Sequence, residues 1–382
     1  MAAAISVLDQ ILDGVAAEKA LSGWARQSRF AGSKDRAAVR DHVFDTLRRK
    51  RSYAAFGGAM TGRGLMVGAL VCAGKDPTTV FNGVGHAPDP LTEAELQAGR
   101  GPQTKPEQLD LPDWLWPLFV DSLGDGAEAA ARALQNRAPV FLRVNIRKTT
   151  RAEAQARLLE DGIETSSHPI AATALEVVTG ARRIRQSDLY LSGAVELQDA
   201  ASQAIVQSLP LFDGARVLDF CAGGGGKTLA MAARAQIEIF AHDALSQRMA
   251  DLPARAARAG TPATILPSRA LADSAPFDLV LCDVPCSGSG SWRRDPEGKW
   301  RLTAERLTEL VQTQQEILDR AADLVSPSGT LAYATCSILR AENDGAIDRF
   351  LAEHPNWRCT VRKVWPIESG ADGFFLAHLT RV

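Results

Sequence analysis

The sequence predicts an α/β protein whose carboxyl-terminal half is a doubly wound parallel sheet, and three observations carry that prediction. From Leu197 onward, short apolar runs alternate with segments of helix length. One run, Val217-Leu218-Asp219, passes through a four-glycine turn, 223–226, into a helical segment. Two further runs end in sulfur. Leu279-Val280-Leu281 leads to Asp283 and Pro285-Cys286, and Leu331-Ala332-Tyr333-Ala334 leads to Thr335-Cys336-Ser337. In open α/β folds, ligands sit at the carboxyl edge of the sheet, where these residues should lie.

A chain of 382 residues is long enough for two or three domains. Residues 5–80 read as helical: Ile5, Leu8, Ile11, Leu12 and Val15 keep helical spacing, and 33–47 is a second helix with Ser33 as its N-cap. That helix ends in Arg48-Arg49-Lys50-Arg51, which reads either as a solvated, dipole-complementing terminus or as a phosphate-contacting face. Residues 84–112, with Pro88, Pro90, Pro102, Pro106 and Pro112, read as a linker or an irregular strap. Trp114, Leu115, Trp116, Leu118 and Phe119 restart a helix and read as core rather than as a stacking platform.

From Pro139 the pattern shifts to a small α+β region, with strands near 141–145 and 174–178 flanking a helix at 151–159. Arg143, Arg147, Lys148 and Arg151, with Arg182, Arg183 and Arg185, give it a basic character. The doubly wound region then follows, with strands at 215–220, 238–241, 277–281 and 330–334 and helices at 228–235, 246–259 and 302–324. The expected domains are therefore 1–112, 113–195 and 196–382.

Composition excludes some classes. The net charge is −2, so a nucleic-acid partner must be met by local basic patches. The first residues carry Asp9 and Asp13 without a basic leader, and no apolar run reaches bilayer length; a cytoplasmic protein with no membrane partner is expected. The six cysteines (72, 221, 282, 286, 336 and 359) then stay reduced. Cys282 and Cys286 alternate along a strand and no Cys/His cluster follows, so no metal is expected.

The glycine turn admits three readings. A phosphate-binding loop needs glycine where Cys221 stands, and that match fails. A dinucleotide site and an S-adenosylmethionine site both remain. In the second, Asp219 would sit near the amino group and Asp243, at the next strand's end, would accept the ribose hydroxyls. His242 reads as a structural neighbour of that carboxylate.

The segments DFCAGGGGKT (219–228), AHDALSQRMADLPARAARAG (241–260), LCDVPCSGSGSWRRDPEGKW (281–300), LAYATCSILRAEND (331–344) and DGFFLAHL (372–379) together resemble the RsmB/Sun/NOP family of RNA cytosine-5 methyltransferases. The resemblance covers about residues 113–382, and SKDRAAVRDHVFDTLRR (33–49) looks like the NusB-type RNA-binding domain of the ribosomal RNA branch. It implies a Rossmann-like class I methyltransferase domain using S-adenosylmethionine, a helical NusB-like RNA-binding domain, and a monomer whose substrate is a cytosine of small-subunit ribosomal RNA; transfer RNA is the alternative. It assigns Cys336 as the thiolate that adds to carbon 6 and Cys286 to release of the product, with Asp283 on the base edge and Lys227 in the active-site region. The implied cofactor residues are Asp219, Cys221, Ala222, Gly223, Gly224, Gly225, Gly226, Lys227, Asp243, Arg248, Ser268 and Asp283.

The chemistry explains the two thiols. Carbon 5 of cytosine is a weak nucleophile until a thiolate adds to carbon 6, and the thiol must later be expelled. Two departures stand out: Gly223-Gly224 replaces the family's usual Ala-Pro, which should loosen the loop and lower cofactor affinity, and Ser268 stands nearest to a third-strand aspartate. Arg293, Arg294 and Lys299 are candidates for neighbouring phosphates, and Trp292 or Trp300 for stacking on a base or for core. A noncatalytic assembly factor or a methyltransferase of small molecules or proteins would leave the paired cysteines without a purpose.

Overall fold

A computed structural model describes residues 1–382, apart from the side chain of Glu368. The chain forms two compact units: Met1–Arg137 with Trp292–Leu302, and Ala138–Ser291 with Thr303–Val382. This differs from the expected boundaries at 112 and 195. Residues 113–137 fold with the first unit because Phe119 stacks on Trp292 with ring centroids 6.3 Å apart and Arg49 Nε donates to the Gln135 carbonyl at 3.2 Å. The small α+β region and the doubly wound region share the second unit.

The first unit is helical. Helices Ala2–Leu12, Ala17–Gln27, Ser33–Arg48, Lys50–Gly57 and Gly62–Cys72 include Leu8, Val43, Leu47 and Met66 among their buried residues. Ser33 is the first helical residue rather than the cap: Gly32 caps the helix, and its N–H donates to Asp35 Oδ2 at 3.0 Å. Gly68 allows the last two helices to touch, since a Cβ there would lie 1.8 Å from the Tyr53 carbonyl oxygen.

Residues 84–112 form a strap with two short helices, Glu93–Ala98 and Lys105–Gln108, each begun by a Thr/Glu capping box. The strap is anchored where Leu109, Asp110 and Leu111 are fully buried and Asp110 accepts from the Ser52 N–H and hydroxyl at 2.8 and 2.9 Å.

Arg48 and Arg51 of the basic run are committed to carbonyls of the protein itself. Arg48 is buried and donates to the Arg293 carbonyl at 2.8 Å, and Arg51 donates to the Leu111 carbonyl at 2.7 Å. Long cationic side chains here satisfy loop carbonyls that would otherwise lack a donor. The same holds for 292–302. Trp292 and Lys299 are each 1% exposed, and Lys299 Nζ donates to the Arg48 carbonyl at 3.1 Å. Burial pushes the Lys299 ammonium down to about 7. Trp300 Nε1 donates to the Leu47 carbonyl at 2.6 Å. Trp292, Arg293, Lys299 and Trp300 are thus packing groups of the first unit: the tryptophans take the core alternative, Arg293 and Lys299 depart from the expected phosphate contact, and Arg294 alone of the set is exposed.

The second unit holds two sheets. In the smaller, β1 (Val140–Val144), β2 (Thr165–Ser167), β3 (Ala174–Val177) and β4 (Val195–Leu197) lie in the order β2-β3-β1-β4, all antiparallel. The larger contains β5 (Arg216–Asp219), β6 (Glu238–Ala241), β7 (Thr264–Ile265), β8 (Phe277–Asp283), β9 (Val325–Thr335), β10 (Trp357–Trp365) and β11 (Phe374–Arg381), in the order β10-β11-β9-β8-β5-β6-β7. Strands β9, β8, β5, β6 and β7 are parallel, and β11 and β10 add antiparallel partners at one side.

Apolar side chains fill both faces of this sheet, so β5 and β8 read as continuous apolar runs. The chain leaves β5 toward β6 on one side and returns to β8 on the other. That switch opens a crevice at the carboxyl ends of β5 and β8, where Asp219 and Asp283 lie. No single helix among the described residues is long and apolar enough to cross a membrane.

Candidate active site

A cavity of about 580 Å³ opens at this crevice, within the second unit. One wall is the glycine turn between β5 and the helix Gly226–Arg234, contributing Cys221, Ala222, Gly223, Gly224, Gly226 and Lys227. Gly223 and Gly225 have φ of +52° and +78°, and a Cβ on Gly225 would lie 2.3 Å from Leu252 Cδ1. Only glycine accommodates both demands there.

Asp243 closes the turn from behind. Its carboxylate accepts from the Gly223 and Leu245 N–H groups, both at 2.9 Å, and Arg248 lies 3.4 Å away. Asp219 is 1% exposed and accepts from Thr228 Oγ1 at 2.6 Å, while its other oxygen is buried without a protein partner. Burial pushes its carboxyl up to about 7.

The opposite wall carries the sulfur. Cys286 and Cys336 stand with their Sγ atoms 3.4 Å apart. The hydrogen bond to Cys336, and then burial, hold Cys286 well above the usual thiol range. Cys336 moves the other way: the hydrogen bond with Cys286 lowers it, against burial and the Asp283 carboxylate, with help from the Lys227 ammonium. Lys227 Nζ lies 2.6 Å from Asp283 Oδ2 and 5.3 Å from the centroid of the Phe374 ring. Burial opposes its charge, but attraction and hydrogen bonding to Asp283 prevail and raise it.

Behind the sulfurs lies Glu342, fully buried. One carboxylate oxygen accepts from the Ser287 N–H at 2.7 Å and Gln314 Nε2 at 3.0 Å, and the other from the Ser287 and Ser337 hydroxyls. Thr335 Oγ1 donates to Asn343 Oδ1 at 2.6 Å, Asn343 Nδ2 donates to the Ser337 carbonyl at 2.9 Å, and the Gly290 N–H donates to the Cys336 carbonyl at 2.9 Å. The loops bearing the two thiols are thereby tied to one buried anion. A lone low thiol beside a proton-holding thiol, a carboxylate and an ammonium suits nucleophilic addition followed by proton transfer.

Comparison with known proteins fits this geometry. Residues 206–380 match the model for the 16S rRNA methyltransferase RsmB/F, and residues 111–182 match the ferredoxin-like domain model of RsmF/B-like methyltransferases. The ribosomal RNA small subunit methyltransferase B of Vibrio cholerae is 30% identical, over 100% of this chain and 97% of the relative. The chain belongs to the RsmB/F methyltransferase family. Solved structures share the fold: PH0851 (TM-score 0.75, 24% identity) covers 100% of this chain and 98% of its own. NSun6 from Pyrococcus horikoshii, solved with SFG (TM-score 0.63, 16% identity), covers 71% and 98%. The larger sheet is the Rossmann-like sheet of these methyltransferases.

In this RsmB/F methyltransferase the cavity brings together Cys336, Cys286, Asp283, Lys227, Cys221, Ala222, Gly223, Gly224, Gly226 and Arg248. Asp219, Gly225 and Asp243 stand just behind its wall. Ser268 does not reach it. Its hydroxyl is spent on His242 Nε2 at 2.9 Å, while His242 Nδ1 donates to the Phe220 carbonyl at 2.7 Å, so His242 is a structural neighbour. Burial holds the Cys221 and Cys282 thiols above their usual range, which makes them poor nucleophiles.

Sequence reasoning missed Gln198, Ser202, Arg306, Leu310 and Phe374 on the cavity wall, and Glu342 behind it. Of these, Phe374 lies in the DGFFLAHL segment and Glu342 in the LAYATCSILRAEND segment, and the others lie in no motif. The basic residues of the small sheet also do structural work. Arg143 is buried and donates to the Gly226 carbonyl at 2.7 Å, and Lys148 donates to the Ser192 and Arg258 carbonyls, both at 2.7 Å.

Proposed function

We propose that this chain transfers a methyl group from S-adenosylmethionine to carbon 5 of a cytosine in small-subunit ribosomal RNA, acting in the cytoplasm as a monomer through a covalent adduct at Cys336. The observation that carries the reading is the thiol pair, Cys286 and Cys336 with their sulfurs 3.4 Å apart on a cavity wall that also holds the Asp283 carboxylate and the Lys227 ammonium.

The residues present fit the cofactor. The orphaned Asp219 oxygen suits an ammonium group, each Asp243 oxygen keeps a lone pair for a ribose hydroxyl, and the positive-φ glycine turn lets backbone approach a ligand closely. Cys221, Ala222, Gly223, Gly224, Gly226, Lys227 and Arg248 line that side, and Ser268 is left out. The bound cofactor would supply an electrophilic methyl group.

The chain's own residues do the rest. Cys336 adds to carbon 6, a C–S bond forms, and the ring electrons move toward carbon 5. Asp283 accepts from the cytosine amino group while Lys227 holds the carboxylate in place. Carbon 5 takes the methyl group; its proton then passes to solvent water, the C–H electron pair restores the 5,6 double bond, and the C–S bond breaks as Cys336 departs as a thiolate, with Cys286 acting in this release. The target base must be unpaired or extruded to reach the crevice. The helical first unit, with its NusB-like sequence, would contribute RNA binding.

The test is denaturing electrophoresis of Cys286→Ala after incubation with cellular RNA and S-adenosylmethionine. A nuclease-sensitive shifted band, absent in Cys286→Ala/Cys336→Ala, is expected. No band in spite of RNA and cofactor binding would instead favour an assembly factor without transfer activity.

A further inference from the structure

A second cavity, of about 360 Å³, lies where β1 and the 172–173 turn meet the helices Ala200–Ser208 and Gly226–Arg234. Its walls are apolar: Val144, Ile146, Val206, Ala230 and Ala233. Its size falls at the lower end of ligand pockets, which run roughly 300–1,000 Å³.

The polar groups on its wall are mostly donors. Arg143 is 4% exposed, and its Nε–H is buried with no acceptor in the protein. Arg234 commits one nitrogen, Nη1, to the Val206 and Leu209 carbonyls at 2.6 and 2.8 Å, leaving the rest of its guanidinium for a ligand. Gln207 accepts from the Ala172 N–H at 3.0 Å through its oxygen, which leaves its NH₂ as a third donor. The acceptor side is largely spent, since the Thr173 hydroxyl donates to Gln203 Oε1 at 2.8 Å. Leaving a buried guanidinium N–H unpaired is costly, and an acceptor on a ligand removes that penalty.

We infer that this cavity receives a second, unmethylated nucleobase of the substrate RNA, splayed from the strand and bearing ring carbonyl acceptors, so that uracil or guanine is taken in preference to adenine. A flat ring matches apolar walls, carbonyl oxygens match convergent donors, and splayed bases are how proteins read single-stranded RNA. Arg143 also gives the site a reason to lie here. Its Nη1 holds the Gly226 carbonyl and Gln198 Oε1, at 2.7 and 2.6 Å, and both residues line the catalytic cavity. A base docked on Arg143 is thus one side chain from the glycine turn. The inference rests on the RNA reading given above.

The experiment compares the full-length protein with Ala233→Phe, which fills the cavity, and Gln207→Leu, which removes a donor at an exposed position and spares the core. Measured in parallel are S-adenosylmethionine affinity by calorimetry, steady-state methylation of small-subunit RNA, and photo-cross-linking of 4-thiouridine-substituted RNA mapped by mass spectrometry. Expected are cross-links to peptides 203–207 or 230–234, lost in Ala233→Phe, and a KM for RNA raised about tenfold in Ala233→Phe and less in Gln207→Leu, with cofactor affinity within twofold of the parent. Active parent enzyme with unchanged KM in both variants and no cross-link to these peptides overturns the second base site and leaves the methyltransferase reading standing. A parent that binds cofactor but methylates no RNA overturns both.

Discussion

The two walls of the catalytic crevice are held by different means. On the sulfur wall the ties converge on a buried group: Glu342 is fully enclosed and joins the half-buried Ser287 to Ser337, and Thr335 and Asn343 lock the strand end beside Cys336. On the glycine wall the Asp243–Gly223 tie is buried, but the arginines that brace the turn reach solvent: Arg248 is 55% exposed by side chain, and the half-buried Arg255 donates to the Gly224 carbonyl. The chemistry asks for this contrast. Two sulfurs 3.4 Å apart must hold their relation through bond making and breaking, which a hydrogen-bond network around a buried carboxylate achieves. A cofactor must enter and leave, and a loop tied by solvent-facing ion pairs, worth roughly 0–1 kcal/mol each, opens without disturbing the core.

The contrast breaks most visibly at Cys336. Cys336→Ser replaces the soft nucleophile with a hydroxyl that the site does not ionise. Methyl transfer should fall on the order of a thousandfold or more, with S-adenosylmethionine affinity unchanged by calorimetry. Retained turnover would move the nucleophile elsewhere.

Glu342→Gln sharpens the comparison, because it keeps shape and removes charge. The amide offers one acceptor oxygen where the carboxylate held four donors, so the Ser287 and Ser337 loops should lose their fixed separation. A fall in kcat of roughly 10- to 100-fold is expected, about 1.4–2.7 kcal/mol, with KM for RNA little changed. A loss of packing alone would lower the melting temperature without moving the pH profile of kcat. A positioning role moves that profile alkaline, because Cys336 loses the Cys286 hydrogen bond that lowers it.

On the glycine wall, Asp243→Ala removes the acceptor for the Gly223 and Leu245 N–H groups and the proposed ribose contact together. Cofactor affinity should weaken by roughly 10- to 100-fold, as for hydrogen bonds to a charged group, while the Cys336 adduct chemistry at saturating cofactor stays near normal. Equal affinity in parent and variant would remove Asp243 from the cofactor site.

How much of this was legible in the sequence follows from how local each signal is. The cysteines, Asp283 and the glycine turn each sit in a strand–turn segment whose apolar run announces its own end, so their shared edge could be read directly. The role of Glu342 could not: it lies within the LAYATCSILRAEND segment, but its partner Ser287 is 55 residues away in sequence. The basic runs misled for a related reason. Nothing in Arg48-Arg49-Lys50-Arg51 shows that the carbonyls of Arg293 and Leu111 come within reach. At 84–112, proline content masked a usable signal, since Thr92/Glu95 and Thr104/Glu107 both keep capping-box spacing.

The smallest effect concerns Asp219. Its carboxyl is held near 7 by burial, whereas in the unfolded chain it titrates near the usual 3.9 or so. Between those values the folded protein keeps a proton that the unfolded chain has lost, so the unliganded protein loses stability as pH rises from about 4 to about 7, by at most about 1.4 kcal/mol per pH unit. Above that window both forms are ionised and the slope from this group vanishes. Asp219→Asn cannot titrate, and its melting temperature should fall less steeply than the parent's between pH 5 and 7, by a few degrees in total at most. The cofactor reverses the balance. An ammonium group against the orphaned Asp219 oxygen favours the carboxylate, so binding at pH 6–7 should release a proton. Calorimetric heats in two buffers of different ionisation enthalpy should then differ for the parent and agree for Asp219→Asn. Identical heats in both proteins, with parallel melting curves, would mean that Asp219 is ionised before the cofactor arrives, and the glycine wall would then be as fixed as the sulfur wall.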